Sequence, residues 1–414
     1  MSGNGPDDRV TDPFRFAYDA PALRVGRHSV ADLADELAAH GLSRALVVCG
    51  QTVGSTPAVI DPVRDGLGDR LAGVFDHTSA EKRLGTAADG LDAFRRADAD
   101  CLVALGGGSS IDAAKQLSAL RARARGAESD ETAVATAGEE LQETGRLAVP
   151  EDGLVPIVAV PTTLAGADVS QGAGVTATPE GGLVTEAVSG GLAAPGLMPV
   201  AVVADSALVA TTPERILAAS AMNGFDKGIE TLYAATATPI TDATAMRGLS
   251  LFQDGLRAFG GGDRDDWVFD ALVRGCTLVQ YGISRPDTGT LSVIHAFGHG
   301  LTSTYDVQQG QAHAVVAPHV LDYLFSQVDG RRALLARALG VPAADDPADA
   351  VVTAVTEVRD ALGLSARLRD VDGPEPAAFP AVADEICSDH FIANAPPGLD
   401  ISPSAVIDVL EAAW

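Results

Sequence analysis

The stretch CLVALGGGSSIDAAK, residues 101–115, decides the fold of this chain. Its apolar residues 101–105 predict a buried strand, and the residues from 111 onward predict a helix. Glycines let a backbone approach a phosphate closely, serines can cap a helix, and a helix amino terminus attracts anions. The stretch therefore predicts an anion-binding turn between the strand and the helix, formed by Gly106, Gly107, Gly108, Ser109 and Ser110.

Short apolar strands and amphipathic helical segments alternate on both sides of this turn. The apolar runs predict further strands at residues 45–49, 72–75, 156–160 and 200–204, and the helical segments include residues 61–71 and 87–96. Strands that alternate with helices are typical of parallel βαβ units, so we expect a Rossmann-like, doubly wound parallel sheet. The acidic segment 126–152 has few bulky apolar residues and predicts a loop excursion.

The spacing of apolar residues changes at about residue 206. Beyond it, residues 214–235, 242–259 and 267–282 carry apolar side chains at the i, i+3, i+4 and i+7 positions of helices. We therefore predict an α/β nucleotide-binding domain at residues 1–205 and an all-α substrate domain at residues 206–414. A cleft between the two would hold the substrate.

Acidic residues dominate the charge of the chain. There are 56 Asp and Glu residues against 29 Lys and Arg, which gives a net charge of −27. Such a surface repels phosphate backbones, so we expect no nucleic-acid partner. Only three lysines occur, Lys82, Lys115 and Lys227. An acid-rich, lysine-poor composition suits a protein that stays soluble in strong salt, where ions screen the repulsion, and a halophilic source is our hypothesis.

The composition also predicts a cytoplasmic protein. No apolar run reaches the roughly 18–20 residues that a membrane span needs, so we expect no membrane partner. The polar, acidic start MSGNGPDDRVTDP lacks the pattern of a signal peptide. No pair of cysteines has the spacing of a zinc site. We expect buried, reduced thiols at Cys49, Cys101, Cys276 and Cys387.

The string GGGSSIDAAK resembles the nucleotide loop of the iron-containing alcohol dehydrogenase superfamily, which includes glycerol dehydrogenases, maleylacetate reductases and dehydroquinate synthases. Residues 14–37, PTTLAGADVS at residues 161–170 and the terminal VIDVLEAAW are also similar to that family. The resemblance implies a dehydroquinate synthase-like architecture, a homodimer and an NAD or NADP cofactor. Beyond the glycine turn, it implies cofactor-binding roles for Asp112, Lys115, Thr162 and Thr163.

The choice between NAD and NADP is predicted from the end of the first strand of the sheet. Family members that prefer NAD often carry an acidic residue there, which holds the ribose hydroxyls. Gly50 stands at this position in the present chain. Because no carboxylate would repel a 2′-phosphate, the sequence admits NADP and slightly favours it.

The family's metal site is degenerate in this sequence. In the family, one Asp and three His hold a divalent metal, which acts as a Lewis acid. The corresponding residues here are Asn223, Lys227, His295 and Gln309. An ammonium has no lone pair and repels a cation, so we expect no tightly bound iron or zinc. Shifting the alignment with the family so that Asp226 takes a ligand position adds one carboxylate. The surrounding helix then no longer matches the family's helix.

We expect Lys227, with His295, to replace the metal in polarising the substrate oxygen, because hydride transfer to a carbonyl develops negative charge there. The alternative is that Lys227 only fills the site by hydrogen bonding to Asn223 and Gln309. His299 matches a family histidine credited with proton relay, for which the ordinary pKa of histidine is suitable. His295 and His299 could also form a purely structural pair.

The function predicted from these residues is NAD(P)-linked hydride transfer to or from a small alcohol, aldehyde or keto-acid. AMN at residues 221–223 and QAHAVVAPHVL at residues 311–321 resemble maleylacetate reductases, so such an enzyme is an alternative. A basic residue in the cleft would support it, and Arg285 is a candidate, although a surface role is the stronger expectation. A catalytically inactive nucleotide-binding homologue remains open, and a dehydroquinate synthase-like lyase fits least.

Overall fold

The computed structural model describes residues 13–286, 288–305, 307–342 and 345–414. The amino-terminal segment that we interpreted as unlike a signal peptide lies, except for Pro13, outside the described residues. The chain divides into two compact units. The α/β unit is Ala20–Thr212, and the helical unit is Pro213–Trp414 together with residues 13–19.

The α/β unit is built on a parallel sheet, as predicted. Its strands in chain order are β1 (Ala22–Val25), β2 (Ala45–Gly50), β3 (Leu71–Thr78), β4 (Cys101–Gly106), β5 (Ile157–Pro161), β6 (Gly172–Ala177), β7 (Val188–Ala193) and β8 (Ala201–Ala204). Six of them form one sheet in the order β1-β8-β5-β4-β2-β3, and all its pairings are parallel. The hairpin of β6 and β7 is antiparallel; it was not predicted, because its glycines interrupt the apolar pattern.

Helices cover both faces of the sheet. They are α1 (Leu33–Ala39), α2 (Gln51–Ser55), α3 (Pro57–Leu67), α4 (Leu84–Arg96), α5 (Gly108–Gly126), α6 (Asp130–Thr144) and α7 (Ser206–Val209). Successive side chains of a strand point to opposite faces. Val47 accordingly packs in a cluster with Ile60 of α3, and Leu46 packs with Phe94 of α4. The central strands are buried on both sides, which suits a parallel sheet between two helical layers.

The prediction of a loop excursion at residues 126–152 was wrong, because α6 occupies its middle. Ser129 caps the helix by accepting a hydrogen bond from the Thr132 backbone N–H, and Gly145 ends it in the left-handed conformation. Its buried face includes Ala137 and Leu141, four residues apart. Other buried residues of this helix are as small as Ala137, and their small size concealed the helical period in the sequence.

The boundary between the units differs from the predicted position near residue 206. Asp205 accepts a hydrogen bond from the backbone N–H of His28 at 2.9 Å. Thr212 donates one from its Oγ1 to the carbonyl oxygen of Thr162 at 2.6 Å. These bonds tie the segment after the last strand to the α/β unit, so the second unit begins at Pro213.

The second unit is mainly helical, as predicted, with one two-residue hairpin. Its elements are α8 (Glu214–Tyr233), α9 (Pro239–Gly260), α10 (Asp266–Gln280), β9 (Ser284–Arg285), β10 (Thr288–Gly289), α11 (Val293–Thr302), α12 (Gln309–Gln327), α13 (Arg332–Ala338), α14 (Pro347–Ala361), α15 (Phe379–Ser388) and α16 (Pro403–Ala413). Helices α9 and α10 touch backbone to backbone. A Cβ on Gly275 would lie 2.7 Å from the backbone N of Phe252, so only glycine fits there.

The cysteines match the expectation of buried thiols except at Cys387. All four cysteines are free; Cys49, Cys101 and Cys276 are buried, and Cys387 is half-buried. Burial raises the pKa of the Cys49 thiol to about 12. Within the part of the chain that the structure describes, no helix has the length and apolarity to cross a membrane.

Candidate functional site

The predicted glycine turn joins β4 to α5. Gly106 has φ +138°, and a Cβ on it would lie 2.8 Å from Ser110 Oγ, so this position requires glycine. The hydroxyls of Thr78 and Ser110 are 2.8 Å apart, which fixes the turn to the end of β3. Helix α5 begins at Gly108, and its first turn has no side-chain cap among the described residues. The backbone thus has the geometry of an anion site at a helix amino terminus.

Thr162 and Thr163, for which the resemblance implied cofactor-binding roles, lie against this turn. Thr162 follows β5, and its backbone N–H donates a hydrogen bond to the carbonyl oxygen of Gly106 at 3.0 Å. A Cβ on Gly107 would be 3.2 Å from Thr163 Cγ2. The structure therefore brings the two predicted cofactor segments together at the carboxyl ends of β4 and β5, where open α/β sheets bind ligands.

The two other predicted cofactor residues of α5 connect the helix to the β6–β7 hairpin region. Lys115 is fully buried. Its Nζ donates hydrogen bonds to the carbonyl oxygens of Ala167, Ser170 and Gly172 at 2.6 to 3.0 Å. Asp112 accepts from the Gly174 backbone N–H and forms an ion pair with Lys82. These contacts give Lys115 a positioning role, and they lend no support to a direct contact between Lys115 and the cofactor.

Gly50 lies at the end of β2 and precedes α2 directly. Its φ of −83° is open to any residue. However, a Cβ at this position would be 3.1 Å from the carbonyl oxygen of Thr78, a tight contact. The close approach of the end of β3 therefore favours glycine at position 50. The prediction that its lack of a carboxylate favours NADP stays a prediction.

In the helical unit, three predicted site residues meet in one buried polar cluster. Helix α8 carries Asn223, Lys227 and Glu230 at spacings that place them on one face, and all are buried. His295 of α11 lies against this face. Its Nδ1 is 2.5 Å from Glu230 Oε2, and its Nε2 is 3.1 Å from Asn223 Oδ1.

One proton arrangement satisfies these contacts. Burial raises the pKa of Glu230 to about 8, and burial together with the nearby Lys227 charge holds the pKa of His295 well below its ordinary value. These shifts favour the neutral form of both groups. The protonated Glu230 donates to His295 Nδ1, and His295 Nε2–H donates to the amide oxygen of Asn223. Glu230 Oε1 accepts from the His295 backbone N–H at 2.9 Å and from the Tyr233 hydroxyl at 3.3 Å.

Lys227 brings the ammonium of this cluster. Its side chain is buried, and Nζ lies 3.5 Å from Oε1 of Gln280 at the end of α10. Gln280 is itself buried. Gln309, the fourth predicted position, is the first residue of α12 and is half-buried. A cation in a largely dry environment exerts a strong field on any oxygen that reaches it.

His299 lies one turn beyond His295 on α11 and is held by the carboxylate of Asp389. Its Nδ1 is 2.8 Å from Asp389 Oδ2. Burial opposes ionisation of Asp389, but the His299 hydrogen bond and the Phe391 backbone N–H outweigh it, and the pKa of this carboxyl is lowered. His299 is 39% exposed, unlike His295 at 2%. An imidazole that is both anchored and accessible can exchange protons with water.

A second buried pair lies behind the cluster. His313 Nδ1 is 3.5 Å from Asp226 Oδ2, and both side chains are fully buried. The ring of His313 meets the ring of His295 edge-on, with centroids 4.4 Å apart. Burial raises the pKa of Asp226 well above its ordinary value and lowers that of His313 well below.

Arg285 does not have the surface role that we expected. It is 6% exposed, and its Nη2 donates to the carbonyl oxygen of Thr236 at 3.0 Å. Its guanidinium lies 5.3 Å from the centre of the Phe16 ring. The prediction of a surface arginine was therefore wrong.

Three residues of the site were not predicted: Glu230, Gln280 and Asp389. Glu230 could have been found, because it is seven residues after Asn223 and three after Lys227, on the same helix face. Gln280 and Asp389 lie 53 and 90 residues from the side chains that they contact. No local pattern links positions so far apart. Over the described ranges, no group of three or more His, Cys, Asp or Glu could hold a metal ion.

Comparison with known proteins agrees with this architecture. Residues 20–206 match the family described as iron-containing alcohol dehydrogenase. Residues 217–414 match the carboxyl-terminal part of the Fe-containing alcohol dehydrogenase family. The sheet, the glycine turn and the helical unit thus define one class of two-unit oxidoreductase. The chain belongs to the iron-containing alcohol dehydrogenase family.

Several relatives of this chain are named as reductases. Maleylacetate reductase of Sphingobium indicum is 29% identical over 379 residues, which cover 89% of this chain and 92% of that protein. Lactaldehyde reductase of Escherichia coli is 26% identical over 88% of this chain and 91% of the relative. The solved structure of sulfoacetaldehyde reductase from Bifidobacterium kashiwanohense in complex with NAD+ has a TM-score of 0.79 at 19% identity, covering 97% and 99% of the two chains. The last similarity is one of fold.

Proposed function

We propose that this protein is an NAD(P)-dependent oxidoreductase that transfers a hydride between nicotinamide and a small alcohol, aldehyde or keto-acid without a tightly bound metal. The observation that carries the proposal is the buried ammonium of Lys227 beside the Asn223–His295–Glu230 network, at a position where the family has a metal ligand. The family membership and the glycine turn support the dinucleotide. We also propose a homodimer, by resemblance to the family.

The side chains at the four family ligand positions do not fit a divalent ion. Lys227 has no lone pair when protonated and repels a cation. His295 directs its Nε2 at Asn223 Oδ1, 3.1 Å away. Asn223 and Gln309 are neutral amides, whereas iron and zinc sites favour imidazole and carboxylate. We therefore derive no step through a metal.

The chain's own residues would stabilise the charge that forms in the reaction. When hydride reaches a carbonyl carbon, negative charge develops on the oxygen. We propose that the Lys227 ammonium binds this oxygen and that the Glu230–His295 pair keeps the surrounding hydrogen bonds in place. The alcohol product needs one proton, and His299, anchored by Asp389, would relay it from solvent. Oxidation of an alcohol uses the same residues in reverse.

The cofactor preference belongs to the same proposal. Gly50 places no carboxylate at the end of β2, where one would bind ribose hydroxyls and repel a 2′-phosphate. We therefore propose that the enzyme accepts NADP at least as well as NAD.

A maleylacetate reductase-like reaction on an unsaturated keto-acid is the second candidate, favoured by the identity to the Sphingobium indicum enzyme. It requires a cation for the substrate carboxylate. The buried Arg285 already donates to a backbone carbonyl, and residues 179–194 contain no lysine or arginine. This candidate is therefore less well supported than an alcohol or aldehyde substrate.

Metal analysis of the purified protein, combined with a screen of NADPH and NADH oxidation over aldehydes and keto-acids, tests the proposal. We expect substoichiometric iron and zinc, with turnover of at least one carbonyl substrate that survives a chelator. Stoichiometric metal whose removal abolishes turnover would contradict the metal-free chemistry. Cofactor binding without turnover of any substrate would indicate an inactive homologue.

A further inference from the structure

Lys82 holds a strained backbone conformation beside the first turn of α5. Its φ is +54°, in the left-handed region that residues with a Cβ seldom occupy. Two hydrogen bonds to its carbonyl oxygen maintain this conformation, from Gln116 Nε2 at 3.0 Å and from the Thr176 backbone N–H at 3.1 Å. Strain that surrounding contacts hold in place often accompanies a functional side chain.

The strained backbone directs the Lys82 ammonium toward α5. Its Nζ is 2.7 Å from Asp112 Oδ2, one turn after the start of the helix at Gly108. The side chain crosses β6 where there is no obstructing side chain, since a Cβ on Gly174 would be 3.3 Å from Lys82 Cδ. The preceding strand end is fixed to the glycine turn through Thr78. The ammonium therefore contacts α5 at Asp112, four residues after the helix begins at the glycine turn of the proposed phosphate site.

Among the residues that the structure describes, Lys82 is also the one lysine with substantial access to solvent. Its side chain is 36% exposed, whereas Lys115 and Lys227 are buried at 0% and 8%. In a protein of net charge −27, an anionic dinucleotide meets long-range repulsion, and a local cation offsets it. A lysine ammonium is a compact donor suited to phosphate oxygens.

We propose that Lys82 is a cofactor-binding residue whose ammonium contacts a phosphate group of the dinucleotide. The inference rests on the proposed function, which supplies the dinucleotide. Asp112 holds the ammonium in position and keeps a hydrogen bond to the Gly174 backbone. The phosphate is either the pyrophosphate, common to both cofactors, or the 2′-phosphate of NADP.

Fluorescence titration with NADH and NADPH tests this role without requiring a substrate. We expect Lys82→Gln to weaken binding by about tenfold or more, because one charge-assisted contact to phosphate is lost. Lys82→Arg should retain most of the affinity. The matched control is Arg96→Gln, which removes the same charge from an exposed ion pair with Asp92 at the other end of α4; it should leave both affinities unchanged.

The losses of affinity for NADH and for NADPH, compared with each other, identify which phosphate group Lys82 contacts. Equal losses for NADH and NADPH indicate the pyrophosphate, and a loss for NADPH alone indicates the 2′-phosphate. Unchanged affinity of Lys82→Gln for both cofactors would overturn the inference. So would full recovery in Lys82→Gln combined with Asp112→Asn, because Lys82 would then only neutralise Asp112. Failure of the wild type to bind either dinucleotide would instead contradict the proposed function itself.

Discussion

At the scale of single residues, the helical unit's polar cluster depends on one fully buried carboxyl group. Glu230 contacts His295 through both of its oxygens, and burial raises its pKa to about 8. A neutral carboxylic acid can donate to the imidazole, whereas a buried carboxylate would need a compensating charge. The pair therefore keeps His295 neutral and oriented toward Asn223.

The raised pKa of Glu230 predicts a pH-dependent stability. Between pH 5 and 8 the carboxyl of Glu230 retains in the folded protein a proton that it has lost in the unfolded chain, so this group makes the free energy of unfolding fall as pH rises. The contribution of this group is at most about 1.4 kcal/mol per pH unit. Glu230→Gln can still donate to His295 and does not ionise, so the free energy of unfolding of this variant should depend less steeply on pH. Asp226, whose pKa is also raised, changes the free energy of unfolding with pH in the same direction. His295 and His313, whose pKa values are lowered, change it in the opposite direction below their ordinary pKa, so the comparison with Glu230→Gln isolates the effect of Glu230.

Chemical denaturation of wild type and Glu230→Gln at several pH values measures how steeply the free energy of unfolding depends on pH. The variant should gain stability relative to wild type toward pH 8. Parallel slopes for the two proteins would mean that Glu230 is already ionised in the folded state.

The residues of the site were predictable to the extent that they follow a local motif. The glycine turn and the segment containing Thr162 carry such motifs, and the structure places them together. Asn223 and His295 were aligned by resemblance, and the structure brings them within 3.1 Å. The partner carboxylate of His299 was not predictable, because Asp389 approaches from a segment 90 residues away. Its position depends on how α11 and the segment after α15 pack.

At the scale of elements, apolar patterns identified five of the six strands of the sheet, all but β1, and the helices α8, α9 and α10. They failed where small residues replace large ones, as in α6 and the β6–β7 hairpin. Alanine and glycine bury little surface each, so their faces carry a weak signal. The packing of such elements depends on close contact between backbones, which only the folded structure shows.

Close packing of α9 and α10 gives a direct test at this scale. Gly275→Ala would place a Cβ 2.7 Å from the backbone N of Phe252, and a backbone cannot move aside without separating the helices. We expect an overpacking cost of about 1–3 kcal/mol in unfolding free energy, reduced by the better helix propensity of alanine.

The matched control for this substitution is Gly85→Ala in α4, where a Cβ would meet nothing within 4 Å. Only helix propensity acts there, so stability should stay constant or rise by up to about 1 kcal/mol. Thermal unfolding of both variants gives the comparison. A Gly275→Ala protein as stable as the Gly85→Ala protein would show that the helices separate freely.

At the scale of the whole molecule, net charge is the dominant feature. With a charge of −27, self-repulsion opposes the compact state, and salt relieves it. Composition alone predicted this property, because it does not depend on the fold. By contrast, the division of the chain into units was predicted only approximately, since the position of Pro213 depends on bonds such as that from Thr212 to Thr162.

The charge predicts that salt stabilises the protein. Raising KCl from 0.1 M to 1 M shortens the screening length from about 10 Å to about 3 Å, so repulsion between surface carboxylates weakens. We expect the melting temperature to rise steadily over this range, as measured by circular dichroism. Full stability in dilute buffer, with no further gain in KCl, would argue against the halophilic hypothesis.

The central claim is that the buried ammonium of Lys227 performs the task of the missing metal. The most direct measurement is the turnover number of Lys227→Met for a carbonyl substrate found in the screen, with NADPH affinity and circular dichroism measured on the same sample. We predict a loss of about 10²–10³ in turnover, the usual effect of removing one preorganised charge-stabilising group. Cofactor affinity and fold should be unchanged. Turnover close to that of the wild type in a folded Lys227→Met protein would contradict the claim.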